Sequence, residues 1–162
     1  MEIMLMGLDY GSVTVGVALS DTLLVNAWPK EIIRRDRESK LRHTLSRIEE
    51  LAREYAVTQI VVGLPLNMDG TEGERALAAR DFAEKVRRRT GLPVVLTDER
   101  LTTVEADEVM DRMGIKDRSR RKERVDAIAA SLILQDYMDA HRDELAQAAG
   151  PADQQKQQQE RQ

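Results

Sequence analysis

Residues 4–21 read MLMGLDYGSVTVGVALSD: two apolar runs turned back on each other by Gly11 and Ser12, with one aspartate closing the first run. Strand-length runs of aliphatic and β-branched residues around such a turn predict a β-hairpin. An unpaired carboxylate inside a central strand is too costly to desolvate. Asp9 therefore belongs at the strand's end, facing a cleft, a cation or a backbone cap. Gly11 and Gly16 allow close backbone approach or a positive φ beside it. Read alone, the stretch fits a turn-capping aspartate as well as a functional one.

Further along, Leu23 to Arg35 alternates weakly and contains Pro29, which predicts an edge strand or an interrupted one. Leu41, Leu45, Ile48, Leu51 and Ala52 mark an amphipathic helix within Glu38 to Tyr55. Thr58 to Gly63 is a short buried strand, and the loop LPLNMDG follows it. Thr71 and Glu74 have the spacing of a capping box, opening a helix that runs to about Thr90 and stops at Gly91. Leu92 to Thr97 forms the last strand and delivers Asp98 and Glu99 just past its end. Thr102 and Glu105 repeat the capping spacing for a short helix to about Met113. A basic connection, Gly114 to Arg124, leads into a final helix over about Arg121 to Ala140. Three strands and then alternating helices and strands predict an α/β fold. Its mixed five-stranded sheet is an antiparallel meander followed by parallel strands, flanked by helices.

A chain of 162 residues with 41% hydrophobic content fills one core of ordinary domain size. That domain is expected over residues 1–146. Residues 147–162 are Gln-rich, without apolar periodicity, and are expected to be a disordered tail. Cysteine is absent, which excludes disulfides and thiolate metal sites. Aromatic residues make up 3%, too few for a platform that stacks single-stranded bases. No leader with a basic start and an apolar core is visible, and no apolar run approaches the roughly 20 residues of a membrane span. A cytoplasmic protein without membrane association is expected. His43 and His141 fall on predicted helix surfaces without a partner base or ligand.

Two further acidic positions stand out. Val125 to Leu134 is apolar nearly all round except for Asp126 and Ser131, so the helix is buried on most faces. Ala127, Ala129 and Ala130 let it lie close to the sheet. Asp126 at the rim of that core could simply complement the helix dipole. Asp98 and Glu99 at a strand terminus are ordinary by themselves. Together, however, Asp9, Glu99 and Asp126 converge at the carboxyl ends of the strands, where open α/β sheets bind ligands. Three carboxylates in one place repel unless a cation lies between them, and oxygen-only ligation selects Mg²⁺ or Mn²⁺. Such ions serve in-line phosphodiester cleavage. The basic run before Asp126, which includes Arg121, Lys122 and Arg124, could hold a phosphate backbone, or could be a solvated loop.

The segments GLDYGSVTVGVALSD, IVVGLPLNMDGTEGERA, TDERLTTVEA and KERVDAIAASLIL resemble the YqgF family, also called RuvX. Its members are Holliday junction resolvases and ribosomal RNA maturation nucleases of the RNase H-like superfamily. The resemblance spans about Met4 to Tyr137 and implies an RNase H-like sheet. It also implies catalytic, metal-holding acids at Asp9, Glu99 and Asp126, with Asp98 as an alternate ligand. Lys122 matches a basic residue that precedes the final acid, with Arg121 and Arg124 beside it, and Asn67 with Asp69 lies on the motif loop beside the cleft. The chain departs from the pattern at Val13 and Thr14, where many members carry a basic residue. The implied activity is a metal-dependent hydrolase acting on structured nucleic acid. The implied substrate is the 5′ end of the precursor of small-subunit ribosomal RNA, with ribosomal particles as partners. Alternatives are resolution of branched DNA, a non-catalytic nucleic-acid-binding regulator, and a phosphotransferase. The last would need a second domain that this length does not hold.

Overall fold

The predicted hairpin forms the middle of a five-stranded sheet in a computed structural model. The structure describes residues 2–99, 108, 111–112, 114 and 118–149, the side chains of 118–125 excepted. Strands β1 (Leu5–Tyr10) and β2 (Thr14–Ser20) pair antiparallel, with Asp9 opposite Gly16. Strand β3 (Ala27–Arg34) adds antiparallel to β2 and lies at the edge, the place Pro29 requires, with a bulge in the pairing at Val17 and Ala18. On the other side β4 (Gln59–Leu64) pairs parallel with β1, and β5 (Val94–Asp98) parallel with β4. The order is β3-β2-β1-β4-β5.

Helices α1 (Arg42–Glu54) and α2 (Glu74–Thr90) cover one face of the sheet. The strands' alternation sends Met6, Leu8, Val15, Val17, Ile60 and Val62 into that face, where they meet Ile48, Leu51, Phe82 and Val86. Each such side chain contributes roughly 1.5–3 kcal/mol on burial. Gly91 ends α2 in the left-handed region, with φ 72°, as a helix-terminating glycine should.

The long helix α3 (Arg118–Ala140) crosses the opposite face and is followed by α4 (Arg142–Ala149). Here Leu5, Ala18 and Val61 meet Ala130, Ile133, Leu134 and Met138. Three glycines also lie under the helix. A Cβ on Gly7 would come within 2.8 Å of the Leu134 Cβ, and one on Gly63 within 2.7 Å of the Ile133 Cδ1. One on Gly16 would collide with the Asp126 carbonyl. Farther along, the Gln135 side chain accepts from the Ala27 amide and donates to the Val25 carbonyl, each at 2.9 Å, pinning α3 to the start of β3.

Several expectations are adjusted. Thr71 does not cap α2: Gly73 stands at the N-cap without a side-chain cap bond. The Thr71 amide and hydroxyl donate instead to Asp69 Oδ1, because a carboxylate two residues away competes successfully with the helix end. Helix α3 begins at Arg118, so the last seven residues expected in the basic connection have helical backbone. The capping pair Thr102 and Glu105 lies outside the described residues, although Glu108, Asp111 and Arg112 are helical. Helix α4 carries the described chain through a buried Ala149, and residues 150–162 lie outside it. Among the described residues no helix is long and apolar enough to cross a membrane.

Candidate active site

Asp9 is the next-to-last residue of β1, and the pleat turns it to the α3 face, opposite Gly16. Glu99 follows β5 directly, its amide held by the Leu64 carbonyl at 3.2 Å. The two strands are not neighbours, since β4 runs between them. Gly63 of β4 resolves this, because a Cβ there would fall 2.5 Å from Glu99 Oε2. The missing side chain is the space through which Glu99 reaches Asp9, and the two carboxyl groups share a hydrogen bond.

Asp126 comes from α3. Its backbone rests on Gly16, directly across the ladder from Asp9, and its Oδ2 accepts a short hydrogen bond from the Thr14 hydroxyl. Thr14 is a residue whose role the local pattern does not disclose. Its partner lies 112 residues away, so no spacing rule connects them.

Burial is the first cause that raises both carboxyls of the Asp9–Glu99 pair. Asp9 is pushed up to about 6, the hydrogen bond from Glu99 partly opposing burial and the Asp126 charge adding to it. Glu99 is pushed up to about 9 by burial, then by the Asp9 charge and the hydrogen bond to Asp9, and last by Asp98. At neutral pH the pair therefore holds one shared proton. Titratable groups driven this far from their ordinary values cluster at functional sites.

The donor set is oxygen only, which suits a hard divalent cation. Two buried carboxyls that must share a proton are also two groups a cation would accommodate in its place. Among the described residues, no group of three or more acidic or histidine side chains already stands as a metal cage. The residues thus fit a divalent ion with Asp9 and Glu99 as the formed pair and Asp126 alongside.

The remaining candidates are placed differently. Asp98 falls on the opposite side of the pleat from Glu99 and is exposed. Asn67 lies on the loop after β4, at the same end of the sheet, with its amide donating to the Thr71 hydroxyl at 2.9 Å. Arg121, Lys122 and Arg124 belong to the first turns of α3 by their backbone, and their side chains lie outside what is described.

The family model for RuvX, described as Holliday junction resolvase, matches residues 3–140. The chain belongs to the RuvX family. Among RuvX relatives, a protein of Lachnospira eligens named "Putative pre-16S rRNA nuclease" is 56% identical over 136 residues, 84% of this chain and 96% of that one. One of the same name from Lactobacillus helveticus is 45% identical over 139 residues, 85% of this chain and 97% of that one. Among solved structures, Thermus thermophilus RuvC matches with a TM-score of 0.51 at 16% identity, over 86% of this chain and 96% of that chain. RuvC of the same organism in complex with Holliday junction substrate gives 0.50 over the same shares. This likeness shows that the RuvX chain has the mixed-sheet fold of RuvC.

Proposed function

We propose that this RuvX chain is an endonuclease that hydrolyses phosphodiester bonds in structured nucleic acid, and that its substrate is the 5′ end of pre-16S ribosomal RNA. The observation that supports it is the proton-sharing Asp9–Glu99 pair, with Asp126 seated across the ladder by Gly16. The relatives named for pre-16S rRNA supply the substrate.

In this reading Asp9, Glu99 and Asp126 hold Mg²⁺ or Mn²⁺. When bound, the ion supplies positive charge at the scissile phosphate. Holding the ion would require the pair to release its shared proton, so that Asp9 and Glu99 would both be anionic donors. Asp9, fixed by the hairpin ladder, orients the pair. The Thr14 hydroxyl donates to the Asp126 carboxylate and fixes its orientation. Burial under α3 excludes water, which strengthens each of these interactions. Arg121, Lys122 and Arg124, at the start of α3, are the residues assigned to the substrate's phosphates, Asn67 is assigned to its approach, and Asp98 is an alternate ligand at the rim. The protein works in the cytoplasm, on ribosomal precursor particles.

Cleavage of a pre-16S rRNA fragment and a four-way DNA junction, with Mn²⁺, Mg²⁺ or EDTA, tests the proposal. Cutting of the RNA fragment is expected with either ion and is lost in EDTA and in Asp9→Asn. The family's resolvase description supports junction cleavage as the second reading, and cutting of the junction alone would establish it. No cutting of either substrate by folded protein would leave a non-catalytic nucleic-acid-binding regulator.

A further inference from the structure

A second charged feature lies at the same end of the sheet on its other face. After β3 the chain passes through Arg34, Arg35, Asp36 and Lys40 into the first turn of α1, and these residues with Arg42 and His43 line an open cavity of about 670 Å³. Three arginines and a lysine face one aspartate, and that aspartate pairs with Lys40 at 3.5 Å.

The start of α1 is unusual for a helix end. Its N-cap is Leu41, no side chain caps it, and its first turn contains no acidic residue. Backbone N–H groups at such an end carry a partial positive charge and attract anions. Arg35 provides an independent sign of a missing partner. It is only 9% exposed, it lines the cavity, and its Nη1 has no hydrogen-bond acceptor among the described residues. Its other nitrogens are committed: Nε donates to the Glu38 carbonyl and Nη2 to the Gly11 carbonyl. The guanidinium lies over the Tyr10 ring, its carbon 5.0 Å from the centroid, and the buried Nη1 gains an acceptor when an anion entering the cavity reaches it. The Glu38 carboxylate does not fill this role, being bound by Arg75 and the Tyr10 hydroxyl.

We infer that this cavity is a phosphate-binding subsite, and that on the proposed nuclease reading it holds a backbone phosphate of the substrate away from the cleaved bond. The Arg35 bond to Gly11 joins the cavity to the turn two residues past Asp9. A nucleic acid occupying both sites therefore wraps the end of the sheet over the β1–β2 turn. The subsite selects substrates that extend past the cut and positions them without taking part in chemistry.

The test uses the full chain with Lys40→Glu and Arg42→Glu combined, because both side chains are exposed and neither holds the turn as Arg35 does. Binding of the labelled pre-16S fragment and the four-way junction is measured in EDTA across a salt series. Weakening by about tenfold or more is expected, with the slope of log K against log salt reduced by about 1 for each phosphate no longer neutralised. Wild-type affinity and slope in a folded variant would overturn the subsite. In parallel, inorganic phosphate is titrated against chloride at equal ionic strength, reading amide shifts of Arg42, His43 and Thr44. Saturable shifts in the wild type, abolished in the variant, support the site, and their absence overturns it. If the wild type binds neither nucleic acid, the nuclease reading fails, while the phosphate titration still decides the subsite: shifts without nucleic-acid binding identify a site for free phosphate or a small phosphorylated ligand.

Discussion

The two faces of the sheet are built on opposite rules. Beneath α1 and α2 the strands present large side chains, and Phe82, Ile48 and Leu51 close over them with no glycine between. Under α3 the same strands present Gly7, Gly16 and Gly63, and the space left is taken by helix backbone and by the Glu99 carboxylate. Packing on the first face is interchangeable in kind, because any well-fitting apolar set stabilises it. The second face has an apolar cluster of its own, but its contacts at Gly16 and Gly63 are atom to atom and set where Asp126 and Glu99 lie. One face supplies stability, and the other uses part of that stability to hold charges together.

The strongest way to break that comparison is Asp9→Asn. Cleavage should fall by about 10³-fold or more, a loss of several kcal/mol of transition-state stabilisation, while the melting temperature holds or rises as repulsion is relieved. Loss of activity through unfolding alone would contradict it. Gly16→Ala comes next. The added methyl must push Asp126 off β2, and a displacement of the order of 1 Å costs about 100-fold in rate, with about 1–3 kcal/mol of destabilisation. Urea melts and single-turnover rates would show both. Thr14→Val keeps the shape but removes the hydroxyl from Asp126, and about tenfold of activity should go with it.

Stability against pH sharpens the contrast further. Both members of the acidic pair titrate higher in the fold than in the unfolded chain, Asp9 from 3.8 to about 6 and Glu99 from 4.5 to about 9. The folded state therefore binds more protons. Its contribution is complete below about pH 4 and is lost as pH rises through about 6 and then about 9. Denaturant midpoints in EDTA should fall across that window, and the fall should be shallower in Asp9→Asn. The smallest effect belongs to the other face: Ile48→Val should cost about 1 kcal/mol and leave the rate per folded molecule unchanged.

Much of the architecture was legible because its causes are local. The hairpin follows from two apolar runs around Gly11 and Ser12, the edge position of β3 from Pro29, and the helices from periodic leucines and alanines. Each acid of the site was also visible one at a time, as a carboxylate where an apolar run stops. Gly16 shows where this ends. Its local meaning is backbone freedom, yet the structure uses it as the seat of a helix that arrives more than a hundred residues later. Gly63 reads as the last residue of a short buried strand and is the opening between Asp9 and Glu99. Thr71 has the spacing of a cap and is taken by Asp69.

The sequence by itself determined the order of elements, the mixed sheet and the presence of three candidate acids, because periodicity, turn chemistry and the cost of burying a charge act over a few residues. Only the tertiary structure decided that Asp9 and Glu99 share a proton across β4, that Thr14 holds Asp126, and that Arg35 keeps an unpaired nitrogen beside an open helix end. Those outcomes depend on distances of a few ångströms between segments far apart in the chain, which packing sets and no local pattern encodes.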